Sequence, residues 1–430
     1  MSKVQITKIT DRVGNGLPNF TNGFTIAGAD SGLSGFTHHT NTNQDGDPTN
    51  PTNGDTWWNS DTNAYKVYAN GAWQTLIGSG SSATSYGDRA LAAGGNGVSS
   101  GWLPSNHDRI FYFDTTTAGN ASDFGDLTIG RAWTTGASNG SRGVFIGGNG
   151  YPGVTDPYGG NVIDYVTVAT TGNATDFGDI TRANGQQGLH GHGCTHNSTR
   201  AVFAGGRFNA DETNSTSYGS NDDQFSGEIY YITIATTGNA TLFGNLDQSA
   251  YNRDTRDWFA GAGNETRGIF SGGIYRNAPL SGGNVYGNVL DYVTIDTTGN
   301  STDFGDLLAT RASHGAAASS TRMLVGGGNV GGSSSAYYSN SIEYVTIDTT
   351  GNSTDFGDLT TIRGNTVGTS NGTKAFFIGG QGTSSPYTTS SIDVVTIDTT
   401  GNATDHGDLD GSNTNGGSTN RMGALTGAAS

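Results

Sequence analysis

One cysteine, Cys194, stands in 430 residues, so no disulfide framework can form within the chain. Cations are also scarce: 20 Lys and Arg face 37 Asp and Glu, a formal net charge of −17. The basic footprint that a nucleic-acid backbone demands is missing, and nucleic acid is not expected as a partner. No apolar run is long enough to cross a bilayer, and the opening Met-Ser-Lys-Val-Gln-Ile holds no apolar leader. The expectation is synthesis in a cytoplasm, without a secretory signal and without membrane insertion. Helical periodicity is absent over any long window. What remains is 71 Gly among Ser, Thr and Asn, with 18 Tyr, 18 Phe and 6 Trp in short bursts between turn residues. That pattern reads as many short strands and tight turns.

The chain repeats a phrase. Asp-Thr-Thr-Gly-Asn-Ser-Thr-Asp-Phe-Gly-Asp-Leu occupies residues 296–307 and, unchanged, 348–359. Variants fall at 114–127, 169–180, 235–246 and 398–409. A repeat of this period marks a supersecondary unit that buries its apolar face only by stacking on copies of itself.

Residues 1–80 lack the phrase and form a separate attachment or assembly region. Residues 3–13 alternate well enough for one strand, and at 54–77 three apolar bursts with Trp57, Trp58, Tyr65, Tyr68 and Trp73 are separated by Asp/Asn and Asn-Gly turns. This predicts a small aromatic β-meander. Residues 85–430 carry the repeat. Each copy has an Arg-led first burst, a second burst closing on Gly-Gly (142–148, 200–206, 267–273, 322–328, 374–380), an aromatic or β-branched third, and the Asp-Phe-Gly-Asp-Leu fourth. Four strands per copy predict propeller blades. The first copy lacks its Arg-led strand, and the chain finishes with a segment, 421–430, that resembles one. The predicted fold is therefore all-β: six four-stranded blades, closed by pairing of the C-terminal strand with blade one.

The Gly-Gly placement and repeat length resemble kelch and galactose-oxidase-like propellers, without the Tyr and Trp spacing of those repeats. The repeated phrase, with the Gly-Asp-Thr-Trp-Trp segment at 54–58, resembles virion proteins of tailed bacteriophages. That resemblance implies a non-enzymatic tail-fibre or appendage protein located in the virion. Residues 1–80 would bind other virion proteins, the propeller would bind a host-surface glycan or protein, and the chain would be a homo-oligomer in the particle. A purely structural or decorating protein of head or tail is the alternative within the particle. A glycan-active propeller enzyme is the alternative outside it, but sialidase Asp-boxes are missing and Asp222-Asp223 sits in a polar segment.

Several motifs invite sharper readings. Asp-Phe-Gly recurs at Asp123, Asp176, Asp303 and Asp355, whereas a kinase needs it once, so Phe124, Phe177, Phe243, Phe304 and Phe356 are expected in blade cores, with His406 as a weaker substitute. Arg131, Arg182, Arg256, Arg311, Arg363 and Arg421 are expected to form a structural ring, bridging blades to the carboxylates or amide before them: Asp126, Asp179, Asn245, Asp306, Asp358 and Asp408. His190, His192, Cys194 and His196 could hold zinc, but read as a solvated loop, and no metal or cofactor is expected. The Asn-X-Ser/Thr triplets at 120, 173, 239, 300, 352 and 402 read as turns in which Gly-Asn supplies positive φ. The loops between second and third strands vary most. Their aromatic residues are the binding candidates: Trp102, Tyr151, Tyr158, Phe208, Tyr218, Tyr275, Tyr286, Tyr337, Tyr338 and Tyr387.

Overall fold

The computed structural model describes residues 87–427 except 96–107, 151–159, 182–186, 210–223, 248–255, 277–283, 332–336, 384–388 and 410–421, together with 4–5, 25–26, 38–39, 55–59, 64–69 and 72–75. The chain divides into two units, Met1–Ala83 and Thr84–Ser430. In the first, Thr56–Asn59, Ala64–Ala69 and Ala72–Thr75 form an antiparallel meander, and His38–His39 adds to it in parallel beside Thr56 and Trp57.

The second unit is all-β and contains six four-stranded antiparallel sheets. Five are consecutive in the chain. Thr135–Ser138, Arg142–Ile146, Val162–Thr167 and Thr175–Asp179 make one of them, and the other four follow the same order. The remaining sheet combines the two ends of the unit: Gly423–Gly427 pairs antiparallel with Arg89–Ala93, with Gly423 opposite Ala93. Hereafter this is the first sheet, and the others are numbered along the chain.

Each sheet buries both faces against its neighbours, which is why the second strands read as unbroken apolar runs. Val144, Ile146 and Phe177 of the second sheet pack with Phe203, Ile232 and Ile234 of the third. Comparable clusters lie between each later pair, and Phe376, Ile392 and Leu409 of the sixth pack with Phe111 and Phe113 of the first. The Phe of each Asp-Phe-Gly is buried, and Phe304 meets Tyr292 edge to face at 6.0 Å. On the other face of that Tyr lies Arg267, 4.4 Å from the ring centroid, which also donates to the Ile347 carbonyl of the next sheet. Arg89, Arg142, Arg200 and Arg322 repeat this clamp on Tyr112, Tyr165, Tyr231 and Tyr344.

The repeated phrase is self-complementary. Its Gly-Asn half in one copy docks on the Phe-Gly-Asp half of the preceding copy. Gly351 donates to the Phe304 carbonyl at 2.8 Å, Ser353 donates to Asp306 at 2.8 Å, and the Asn352 side chain accepts from the Asp306 N–H at 3.0 Å. The triplets lie in the connection between third and fourth strands, where positive φ falls on the glycine before the Asn, as at Gly172, Gly238, Gly351 and Gly401; the asparagines themselves act as acceptors between sheets. The glycine of Asp-Phe-Gly is required by closeness: a Cβ on Gly305 would lie 2.5 Å from the Gly351 oxygen, and φ there is +145°. A β-bulge opposite this glycine shifts the register between Leu290 and Asp291.

The Arg expectation needs correction in two respects. Arg131, Arg256, Arg311 and Arg363 are buried, but their partners are Asp164, Asp291, Glu343 and Asp393, on the third strand of their own sheet. What joins neighbouring sheets is the Arg main chain, since Gly273 donates to the Arg311 carbonyl and Gly328 to that of Arg363. Gly95 and Gly206 do the same to the carbonyls of Arg131 and Arg256. The arginines also precede the first strands instead of opening them; Arg311 stands four residues before Gly315.

Arg182 and Arg421 lie outside the described residues, and the register around them breaks the sixfold pattern. In the third sheet Leu189 takes the Arg position, accepting from the Gly148 N–H, and Tyr230 takes the acid's position opposite Phe203. One sheet thus carries Leu and Tyr, with the Tyr230 hydroxyl donating to Glu228 at 2.8 Å, where its neighbours carry an ion pair. In the first sheet Gly423 corresponds to Gly315, so by sequence count Arg421 is two residues before the strand where Arg311 is four before its own.

Candidate functional site

The starts of the six first strands surround one cavity of about 120 Å³. Its lining takes in Trp133 to Gly136, Gly191 to Cys194, Trp258 to Gly261, Ser313 to Ala316, Asn365 to Gly368, and Met422 with Ala424, so all six sheets contribute. A second cavity, about 60 Å³, follows along the same strands. The two share Gly136, Cys194, Gly261, Ala316, Gly368 and Ala424, one residue per sheet. Small residues are obligatory at this waist, because a Cβ on Gly368 would lie 2.3 Å from the Ala316 oxygen and one on Gly136 2.5 Å from the Ala424 oxygen.

At the mouth the backbone departs from the usual regions. Trp133, Trp258, Ser313 and Asn365 occupy equivalent positions with φ of 57°, 55°, 53° and 54°, and Gly191 joins them at 71°. The left-handed conformation turns each N–H toward the preceding sheet: Trp258 donates to Gly191, Ser313 to Trp258 and Asn365 to Ser313, each at 2.7 Å. Backbone geometry thus explains the conformation. It does not explain two tryptophans in it, since a bulky side chain costs about 1–2 kcal/mol there relative to Gly or Asn. The Trp258 indole lies over Gly191, where a Cβ would come within 2.9 Å of it, and the Arg207 guanidinium sits 5.5 Å from its ring centre.

One residue deeper are Thr134, His192, Phe259, His314 and Thr366. The two threonines donate to the Ile146 and Ile378 carbonyls. His192 Nε2 meets Thr135 Oγ1 at 2.7 Å, and His314 Nε2 meets Ser271 Oγ at 2.9 Å. Ser271 Oγ also lies 3.2 Å from the Ala260 carbonyl, so both that carbonyl and His314 Nε2 are within hydrogen-bond reach of it. The Nδ1 atoms of both histidines are buried without a hydrogen-bond partner in the protein. Burial holds His192 down to about 3 and, helped by the charges of Arg311 and Arg256, holds His314 well below its ordinary value. Both imidazoles are neutral at physiological pH. Burial pushes the Cys194 thiol up to about 12, which makes it a poor nucleophile and a poor metal ligand.

The His/Cys run is therefore not a solvated loop. His190 closes the strand Gln187–His190, while Cys194 and His196 belong to the first strand Gly193–His196 of the third sheet and line the cavities. No group of three metal-ligating side chains forms among the described residues.

Of the loop candidates, Trp102, Tyr151, Tyr158, Tyr218 and Tyr387 lie outside the described residues, and Phe208 is described only as part of the strand Arg207–Asn209. Tyr275 is buried under the Arg256 guanidinium, 5.6 Å from its ring, and packs on Gly287. Tyr338 packs on Gly364 of the next sheet and donates to Gln381 at 2.8 Å. These two rings serve packing between and within repeats, which corrects their reading as free binding groups. Tyr286 is half-buried and Tyr337 is exposed.

Sequence reading missed the residues at the mouth. The available signal was the aromatic two places after Arg131 and Arg256, which the Arg pattern overshadowed. No protein-family model matches the chain, and a search of curated proteins finds no relative of it.

Proposed function

We propose that the six sheets form a closed, kelch-like six-bladed propeller and that the protein is a non-enzymatic component of a phage particle, a fibre or appendage protein. Residues 1–80 attach it to other virion proteins, and one face of the propeller contacts a host-surface glycan or protein. The observation that carries this reading is a coincidence of position. The first strands begin, and the second strands end, at the same end of the sheets, as Thr135 opposite Ile146 and Gly315 opposite Gly326 show. The mouth of the larger cavity and the variable second-to-third connections therefore emerge together. A cavity bordered by indoles, hydroxyls and an amide, with no carboxylate among the described lining residues, offers stacking and hydrogen bonding. Closure draws support from the first sheet, which unites the two ends of the unit, and from the packing of the sixth sheet on the first.

Adsorption competition tests the function. Purified full-length protein, added before particles that carry it, is expected to block their attachment to host cells. Undiminished attachment at saturating protein would reject host recognition in favour of decoration.

A further inference from the structure

We propose that the larger cavity is a binding site for the terminal pyranose of a neutral glycan, held end-on at the mouth. The inference rests on the reading of this face as the binding face and assigns it a ligand class. Three features of the site converge on that class.

The first is the aromatic arc. Trp133 and Trp258 stand at equivalent left-handed positions on either side of Gly191, and Trp258 lies over the space that Gly191 leaves. Gly191 and Asn365 show that the backbone there accepts permissive residues. Keeping two tryptophans in a disfavoured conformation points to a use for the indoles, because strain of this kind concentrates at ligand sites. A pyranose presents a C–H face that stacks on an indole, with little side-chain entropy lost.

The second is the polar arc opposite, built from Ser313 and Asn365. The Asn365 amide is held by its nitrogen, which donates to Gln381 Oε1 at 3.0 Å, and its Oδ1 has no hydrogen-bond partner among the described residues. A hydroxyl group of a ligand, or a water it replaces, would satisfy that oxygen, and an open acceptor suits a ligand rich in hydroxyl donors.

The third is size and charge. The cavity is on the order of ten times the smallest space that admits a water, enough for one sugar ring. The waist of small residues narrows the path below, so a chain cannot thread through and only a terminal unit enters. Among the described residues no charged side chain lines the cavity, and both imidazoles are neutral, so the described lining holds nothing to neutralise an acidic sugar.

The test is titration of the full-length chain with methyl glucoside, galactoside, mannoside and N-acetylglucosaminide, followed by calorimetry and tryptophan emission. At least one is expected to bind and to shift the emission. Trp133→Ala and Trp258→Ala should each weaken binding tenfold or more, an order-of-magnitude expectation for losing one stacking ring. Ser313→Trp keeps the fold, because the same backbone position already carries tryptophan in two other sheets, and it should abolish binding by filling the mouth. Absence of binding by every pyranoside, or undiminished binding by Ser313→Trp with an unchanged melt, would overturn the proposal. Blocked adsorption without pyranoside binding would sink this inference and leave host recognition standing; pyranoside binding without blocked adsorption would do the reverse.

Discussion

Asn120, in the first copy of the repeated phrase, accepts a hydrogen bond from the main-chain N–H of Asp408, in the last, at 3.1 Å across 288 residues. Beside it Gly119 donates to His406 at 2.8 Å and Ala121 to Asp408 at 2.7 Å, the same three bonds that join consecutive copies. The sixth junction is chemically the same as the others, although chain entropy makes it the most expensive to close. Deleting residues 421–430 removes the strand that completes the first sheet and exposes the apolar faces of Leu91 and Phe111. The expected outcome is a melting temperature lower by roughly ten degrees or more, or loss of a single cooperative transition. Calorimetry of the truncated chain checks this; an unchanged melt would show that the terminal strand adds nothing.

The buried ion pairs make a second prediction. Arg256→Leu leaves Asp291 buried without its cation and should cost about 3–5 kcal/mol. Adding Asp291→Leu removes the stranded carboxylate as well and should recover much of that loss. Denaturant unfolding of the two single variants and the double variant measures the coupling, and additive losses would show that the two residues are not coupled.

Glycine closeness makes a third. A Cβ on Gly305 meets the Gly351 carbonyl at 2.5 Å, whereas one on Gly119 meets nothing within 4 Å. Gly305→Ala should lose about 2 kcal/mol or more, and Gly119→Ala should stay within about 0.5 kcal/mol of the parent. Equal losses in thermal melts would refute the steric account.

Acid sensitivity is the fourth. Burial lowers His192 to about 3 and His196 to about 4, and lowers His314 as well. A histidine whose folded pKa lies below its unfolded value takes up its proton on unfolding. Its stabilising contribution is intact above pH 6.5 and declines as pH falls toward the folded value, by up to about 1.4 kcal/mol per pH unit for each group. Asp291, which burial raises to about 6, works in the opposite sense between about pH 6 and 4 with a single proton. Asp108, raised by burial, adds to Asp291, and Asp114, lowered by its bonds from Thr116 and Thr117, adds to the histidines, so the balance predicts net destabilisation from pH 6.5 downward. His314→Thr, the residue found at that position as Thr134 and Thr366, should flatten the slope by one proton in melts recorded against pH. An unaltered slope would exclude His314 as a contributor.

The repeat itself revealed the sheets. Apolar bursts such as 142–146 and 374–378 coincide with strands because short runs between glycines have no other way to bury themselves, and the Asp-Phe-Gly phenylalanines are core residues because every copy needs one. Partnership was less legible. Sequence proximity suggested that Arg311 binds Asp306, yet its carboxylate is Glu343, brought alongside by the strand order within its sheet. The asparagines of Asn-X-Ser/Thr looked local for the same reason, and act on the sheet before them. The mouth residues escaped notice because Trp133, Gly191, Ser313 and Asn365 share a backbone position and no side-chain chemistry.

The amino-acid order alone determined the unit: strand lengths, the glycine corners and the recurrence of one phrase, all legible from neighbours along the chain. Only the tertiary structure decided which carboxylate each buried guanidinium meets and which residues enclose the cavity. Those depend on bringing together residues from copies far apart in the chain, and no local periodicity records that distance.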